Sequence, residues 1–134
     1  MNDYFALIKA AVDVRRYSVA PYSSFSVGAA LLTRDGKIYT GCNIESSSLG
    51  LTICAERVAL FKALSEGERS FAAVAISTST GEACPPCGAC RQVLLELAGN
   101  IDVLSIYDDK KYTMLKLEKL LPKAFTNKFI KRDR

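Results

Sequence analysis

A chain of 134 residues with 49% hydrophobic and 24% charged residues has the composition of one globular domain, which argues against disorder. The net charge is +4, and we interpret the basic end of the chain, residues 123–134, as a solvated terminus rather than a nucleic-acid contact. The apolar runs are too short to cross a membrane and the first residues lack the basic start of a signal peptide, so we expect a cytoplasmic protein without a membrane partner.

Hydrophobic periodicity and turn signals predict alternating helices and strands. In chain order the predicted elements are a helix at 2–17, strands at 25–33 and 37–42, a loop at 43–52, a helix at 53–65, a strand at 71–77, a loop at 78–86, a helix at 88–98, a strand at 101–107, and a short strand and helix within 112–121. Asn2 or Asp3 is expected to cap the first helix. Asp35-Gly36 is the strongest hairpin signal, and the small residues of the first strand indicate that another element approaches it closely.

The order of these elements predicts the fold class. Strand–helix–strand–helix–strand implies parallel pairing, right-handed crossovers and helices on both faces of a sheet, while the first hairpin adds antiparallel strands. We therefore predict a three-layer α/β/α fold around a mixed sheet of about five strands. Residues 1–134 are expected to form a single domain, with the basic tail 126–134 peripheral to it.

The absence of histidine restricts the chemistry that this chain can perform. A general base must be a carboxylate, lysine, tyrosine or cysteine, and both Ser-His-Asp and Cys-His catalysis are excluded. The five cysteines are an odd number, and in a reducing compartment we expect thiols or metal ligands rather than disulfides. Any zinc site must therefore be built from thiolates and carboxylates.

Two cysteine-bearing stretches, 54–57 and 84–91, each lead into a predicted helix. Cys87 and Cys90 are three residues apart, so both thiols project to one side of a helix start, and two prolines fix the approach. Cys54 lies at or near the start of the other helix. Helix N-termini favour thiolate over thiol, and three thiolates leave the fourth position of a tetrahedral Zn²⁺ open, as in a catalytic site.

Charged residues beside these cysteines are candidates for the rest of the chemistry. Glu56 is expected to carry protons between water and substrate. Three thiolates outweigh the charge of Zn²⁺, so a guanidinium that donates to their sulfurs would restore its electrophilicity. Arg57 is the candidate for that role, with Arg91 as a second possibility.

Two other uses of the cysteines stay open from spacing alone. The Cys-x-x-Cys pair resembles a redox motif, although no thioredoxin-like context surrounds it. A closed structural zinc site would need Cys42 or Cys84 as a fourth ligand. We interpret both of these residues as small buried hydrophobes instead.

The motifs Cys-Ala-Glu-Arg at 54–57 and Pro-Cys-Gly-Ala-Cys-Arg-Gln at 86–92 resemble the small three-cysteine cytidine deaminases of pyrimidine salvage. The resemblance continues through residues 22–30, 41–45 and 120–125, and so covers nearly the whole chain. It implies the cytidine deaminase-like fold. It also implies a homotetramer with shared active sites, which is the usual assembly of this family. One zinc ion per chain would be bound by Cys54, Cys87 and Cys90.

The resemblance also implies roles for residues around the substrate. Phe25 would pack against the pyrimidine, and Asn43 and Glu45 would hydrogen-bond the ribose at its 3′-hydroxyl. The backbone near Ala55 and Cys87 would contact the carbonyl and amino groups of the base. Phe125 would reach a substrate across a subunit interface.

We therefore expect zinc-dependent hydrolytic deamination of free cytidine and 2′-deoxycytidine. Ser46 and Leu49 depart from the family pattern of the ribose loop, where an asparagine and an aromatic residue are common. The alternatives are a deaminase of another aminopyrimidine nucleoside, of the blasticidin S type, and a non-catalytic structural-zinc module. A polynucleotide-editing enzyme is disfavoured because the chain is short and lacks interleaved aromatic and basic residues.

Overall fold

A computed structural model describes residues 4–130, which form a five-stranded mixed sheet with helices on both faces. The predicted three-layer α/β/α fold is confirmed. The helices are α1 Phe5–Val14, α2 Ala55–Ser65, α3 Gly88–Ala98 and α4 Leu117–Leu120, with short 3₁₀ turns at Arg15–Tyr17, Leu49–Leu51 and Asn127–Phe129. The strands are β1 Val27–Thr33, β2 Ile38–Cys42, β3 Phe71–Thr78, β4 Asp102–Tyr107 and β5 Lys111–Lys116. Across residues 4–130, no helix has the length and hydropathy to span a membrane.

The strand order is β2-β1-β3-β4-β5, and only β3 and β4 are parallel neighbours in this part of the chain. The strand–helix–strand order implied that β2 and β3, which α2 connects, would pair in parallel. This expectation is wrong, because β1 lies between them and pairs antiparallel with β3. Burial explains the choice: most side chains of β1 are buried, whereas those of the shorter β2 are mostly half-buried. β1 therefore takes the interior position and β2 becomes an edge.

Each face of the sheet carries its own hydrophobic core. Residues that alternate along β3 point to opposite faces, so Ala73 and Ala75 pack under α1 while Val74 and Ile76 pack under α2 and α3. Two apolar layers on a central sheet are the arrangement that a buried strand such as β3 requires.

Two glycines let helices lie directly on strands. A Cβ at Gly28 of β1 would be 2.1 Å from the Ala11 carbonyl oxygen of α1, which confirms the predicted close approach to this strand. A Cβ at Gly41 of β2 would be 2.6 Å from the carbonyl oxygen of Ala55 and 2.5 Å from the amide nitrogen of Ala59. The start of α2 is therefore seated against the β2 backbone.

Several element boundaries differ from the predicted ones. The first strand begins at Val27 rather than at 25, and α2 begins at Ala55 rather than at 53, because Ile53 bridges Ile44 of the preceding loop. The first helix ends at Val14 and continues as a 3₁₀ turn. The predicted caps at positions 2 and 3, and tail residues 131–134, lie outside the described residues.

Candidate active site

The three predicted ligand thiols converge where α2 and α3 begin. Cys54 and Cys87 are the N-cap residues of the two helices, and Cys90 is in the first turn of α3. The Sγ atoms of Cys54 and Cys87 are 3.6 Å apart, and all three Sγ atoms lie within 4.8 Å of one another. The cluster found among residues 4–130 does not include Cys42 or Cys84.

The pKa values of the Cys54 and Cys90 thiols are shifted in opposite directions. Hydrogen bonding from Cys90 lowers the pKa of Cys54 to about 5 against the effect of burial, and Arg57 and Cys87 add to the lowering. The same contact with Cys54, together with burial, raises the pKa of Cys90. One thiolate is thus stabilised by its neighbours' protons, and full ionisation of the cluster needs a positive ion. Three soft thiolates with room for a fourth ligand fit tetrahedral Zn²⁺.

Glu56 lies in the first turn of α2, directly beside this cluster, and only 4% of its surface is exposed. Burial raises the pKa of its carboxyl to about 7; its own backbone N–H opposes this effect and the negative charge of Cys54 adds to it. A carboxyl that titrates near neutral pH can both accept and donate a proton in one reaction cycle.

The two arginines next to the cysteines have different partners. Arg57 donates from Nη2 to the Sγ of Cys54 over 3.6 Å, while its buried Nε makes no hydrogen bond within the described residues. Arg91 instead donates from Nε to the carbonyl of Pro86 at 2.7 Å and from Nη1 to that of Leu120 at 2.9 Å. Arg91 therefore holds the backbone ahead of Cys87, and its hydrogen bonds within residues 4–130 are to carbonyl oxygens.

A cavity of about 210 Å³ opens beside the thiol cluster. Glu56 lines it together with Phe25, Asn43 and Ala55, three residues that the sequence predicted at the substrate. Cys84 lies half-buried on the same wall, so it is not the buried hydrophobe that we expected. Burial and the charge of Glu56 raise the pKa of the Cys84 thiol.

Asn43 and Glu45 both organise the loop that precedes β1. The amide oxygen of Asn43 accepts from the Val27 N–H at 2.9 Å and from the Ser18 hydroxyl, and its nitrogen donates to the Phe25 carbonyl at 2.8 Å. The second N–H of the Asn43 amide has no partner among residues 4–130 and can donate to another molecule.

Glu45 accepts hydrogen bonds from the backbone N–H groups of Tyr22 and Ser23, at 3.0 and 3.2 Å, and from the Ser23 hydroxyl. The Ser23 hydroxyl is the main reason why the pKa of Glu45 is lowered. Its carboxylate lines an open cavity that shares Thr52 with the first one. The predictions missed the contacts of Ser18 and Ser23, and no sequence signal marks either partner.

Phe125 lies outside the cavity of its own chain. Its side chain is 56% exposed and stacks on Phe129, with ring centroids 5.7 Å apart. The Phe125 carbonyl accepts a hydrogen bond from Gln92 Nε2 of α3 at 2.7 Å. Its predicted contact with a substrate therefore requires a second chain.

Together the fold and the site define a class: α/β/α proteins with a thiolate metal centre and an adjoining carboxyl for proton transfer. The family model described as the cytidine and deoxycytidylate deaminase zinc-binding region matches residues 1–104. The chain belongs to this family.

Individual relatives agree with this assignment. A protein of Halalkalibacterium halodurans named cytidine deaminase is 48% identical over 128 residues, which cover 90% of this chain and 92% of that protein. One from Sporosarcina psychrophila with the same name is 46% identical over 127 residues, 92% of each chain. The crystal structure of cytidine deaminase from Burkholderia pseudomallei has a TM-score of 0.87 at 47% identity, over 93% of this chain and 100% of that one.

Proposed function

We propose that this chain catalyses the zinc-dependent hydrolytic deamination of free cytidine and 2′-deoxycytidine, giving uridine and 2′-deoxyuridine plus ammonia, in pyrimidine salvage. The observation that carries the proposal is the buried Glu56 carboxyl, which faces the same cavity as Cys54 and Cys87. A proton carrier beside a metal position with a free coordination site is the arrangement that hydrolysis of an aminopyrimidine needs.

Cys54, Cys87 and Cys90 would bind one Zn²⁺ per chain. When bound, zinc lowers the pKa of water and so supplies the nucleophile for C4 of the base. The Arg57 guanidinium, which donates to the Sγ of Cys54, would offset the excess negative charge of three thiolates. Arg91 would contribute indirectly, because it fixes the Pro86 carbonyl one residue before a ligand.

Glu56 would move the protons of the reaction. Its carboxylate would take one proton from the water and deliver it to N3 of the pyrimidine. It would then take the second proton of that water from the new C4 hydroxyl and pass it to the amino group, which leaves as ammonia. The backbone near Ala55 and Cys87 would contact the carbonyl and amino groups of the base. Water would thus supply the new carbonyl oxygen, and ammonia would carry the nitrogen away.

The walls of the cavity support a nucleoside as the substrate. Phe25 would pack on the pyrimidine, while the remaining N–H of Asn43 and the carboxylate of Glu45 would bind the ribose hydroxyl. Neither of the two adjoining cavities is lined by a lysine or an arginine among residues 4–130. Glu45 would also repel a phosphate group.

An absorbance assay with purified, zinc-loaded protein tests this function. We expect cytidine and 2′-deoxycytidine to be turned over, and cytidine 5′-monophosphate to react with a kcat/KM at least about ten-fold lower because of the charge on Glu45. Exchange of Glu45→Gln should narrow that difference. A zinc-containing protein that deaminates no cytosine nucleoside would contradict the proposal.

Phe125 supports a homotetramer with shared active sites, since its exposed ring lies outside its own cavity. In that assembly the ring reaches the substrate of a neighbouring chain. We further propose that residues 1–134 act as one cytoplasmic deaminase domain, that the tail 126–134 is peripheral, and that no nucleic acid or membrane takes part.

Light scattering on the purified protein measures this assembly directly. We expect a mass of four times the 14.6 kDa of one chain. Mixing inactive Glu56→Gln chains with Phe125→Ala chains should restore part of the turnover, because the mixture pairs an intact catalytic carboxyl with an intact neighbouring ring. A monomer with full activity would contradict the shared site.

A further inference from the structure

Arg15 occupies the place where the parallel strands β3 and β4 separate. The β3–β4 ladder ends at the pair Ile76 and Ser105, whereas β3 stays paired with β1 as far as Thr78. Beyond Ile76 the edge of β3 that faces β4 has lost its strand partner. The guanidinium of Arg15 enters this gap from the α1 side of the sheet.

Within residues 4–130, the Arg15 side chain makes its hydrogen bonds through a single nitrogen, Nη1. Nη1 donates to the Ser77 hydroxyl at 2.7 Å, to the Thr78 carbonyl at 2.8 Å and to the Asp109 carboxylate at 3.2 Å. The Arg15 side chain is only 22% exposed, whereas that of Asp109 is 49% exposed. The strong contacts are therefore those with the buried end of β3, and the ion pair with Asp109 is the weaker one.

The end of β3 is the start of the loop that leads to Cys87. Thr78 lines the substrate cavity, and its hydroxyl contacts the Thr80 hydroxyl at 2.9 Å. The Gly81 N–H donates to the same Thr78 carbonyl that Arg15 binds, and the Gly81 carbonyl accepts from Asp108 at 2.9 Å. Gly81 thus attaches the loop 79–86 both to the end of β3 and to the turn that follows β4. The same loop carries Cys84 and Pro85 of the cavity wall.

We infer that Arg15 is a positioning residue for the deamination reaction, acting from the opposite face of the sheet through Thr78 and the loop 79–86. This inference rests on the proposed function. Crevices at the carboxyl ends of neighbouring parallel strands are where α/β sheets bind ligands. Arg15 fills the sheet end of such a crevice. It thereby holds the loop 79–86 of the cavity wall, and the start of α3 that follows it, in one geometry.

The test compares Arg15→Met with Arg16→Met, because Arg16 is the adjacent arginine and contacts the Tyr17 ring instead. We expect Arg15→Met to lower kcat/KM about ten- to a hundred-fold, mainly through kcat, since small misplacements of a reactive geometry have effects of this size. Arg15→Lys should recover much of the loss, because an ammonium group offers three donors on one nitrogen. Arg16→Met should behave as wild type.

Hydrogen–deuterium exchange gives a second readout that does not depend on turnover. In Arg15→Met the peptide covering 79–86 should exchange faster, because three of its amides are hydrogen-bonded in the fixed loop: that of Ser79 to the Ser26 carbonyl, that of Gly81 to the Thr78 carbonyl and that of Glu82 to the Thr80 hydroxyl. The peptide covering α1 should keep its protection. If Arg15→Met does not fold, Ser77→Ala removes one acceptor and should give the same changes at smaller size.

Wild-type turnover or wild-type exchange of 79–86 in Arg15→Met would overturn the inference, as would failure of Arg15→Lys to recover activity. If Arg15→Met does not fold, Ser77→Ala with wild-type exchange and turnover would overturn it. A wild-type protein without cytidine turnover would instead contradict the proposed function, and the exchange measurement would still decide whether Arg15 fixes the loop.

Discussion

Exchange of Glu56→Gln is expected to lower kcat for cytidine by about a hundred- to ten-thousand-fold, the range that a general acid–base group contributes. Glutamine keeps the size of the side chain but cannot carry the proton from water to N3 of the base. The buried position of Glu56 adds to this effect, because solvent water cannot readily replace it as the proton carrier. The measurement is the loss of cytidine absorbance by protein with matched zinc content.

Glu66→Gln is the matched control, since Glu66 is exposed at the other end of the same helix and undergoes the same change of charge. It should retain wild-type kcat. Zinc bound per chain should be equal in both variants, because neither carboxylate is a ligand. Undiminished turnover in Glu56→Gln would leave the proposed reaction intact and remove Glu56 from its mechanism.

Exchange of Cys87→Ala is expected to reduce bound zinc from about one per chain to a small fraction of that, and turnover to background. A tetrahedral site that loses one of three protein ligands keeps two thiolates, which hold zinc far less tightly. Cys87 is also the N-cap of α3, and its sulfur accepts from the Cys90 N–H at 3.5 Å. Elemental analysis after dialysis against a chelator measures the metal content.

Cys84→Ala provides the comparison for metal content, because it removes a thiol three residues earlier on the same loop. It should retain zinc, since Cys84 is outside the convergent cluster. If Cys84→Ala lost zinc as completely as Cys87→Ala, the site would contain a fourth thiolate and would be closed to water. That result would favour a structural zinc.

The thiol cluster could be predicted because its determinants are local. Cys87 and Cys90 are one helical turn apart, and each cysteine stretch precedes a helix with clear periodicity. The absence of histidine added a second constraint, since it left only sulfur and oxygen ligands. The layered fold followed in the same way from the order of the elements.

Strand pairing and the contacts around the cavity depend on residues that are distant in the chain. β3 pairs with β1 because β1 is buried more deeply than β2, and no single motif shows how deeply a whole strand is buried. Phe25 has a side chain typical of a strand, yet it precedes β1, and its carbonyl accepts a hydrogen bond from Asn43, 18 positions away. The link from Arg15 to Ser77 spans 62 positions and leaves no trace in local sequence patterns.

The contact between α2 and Gly41 fixes the N-terminal end of this helix on the sheet. Main chain touches main chain there, so no rotamer change can move Ala55 relative to β2. Glu56 and Cys54 flank that contact directly. The spacing between the Glu56 carboxyl and the Cys54 thiol is therefore held by the hydrogen-bonded hairpin of β1 and β2.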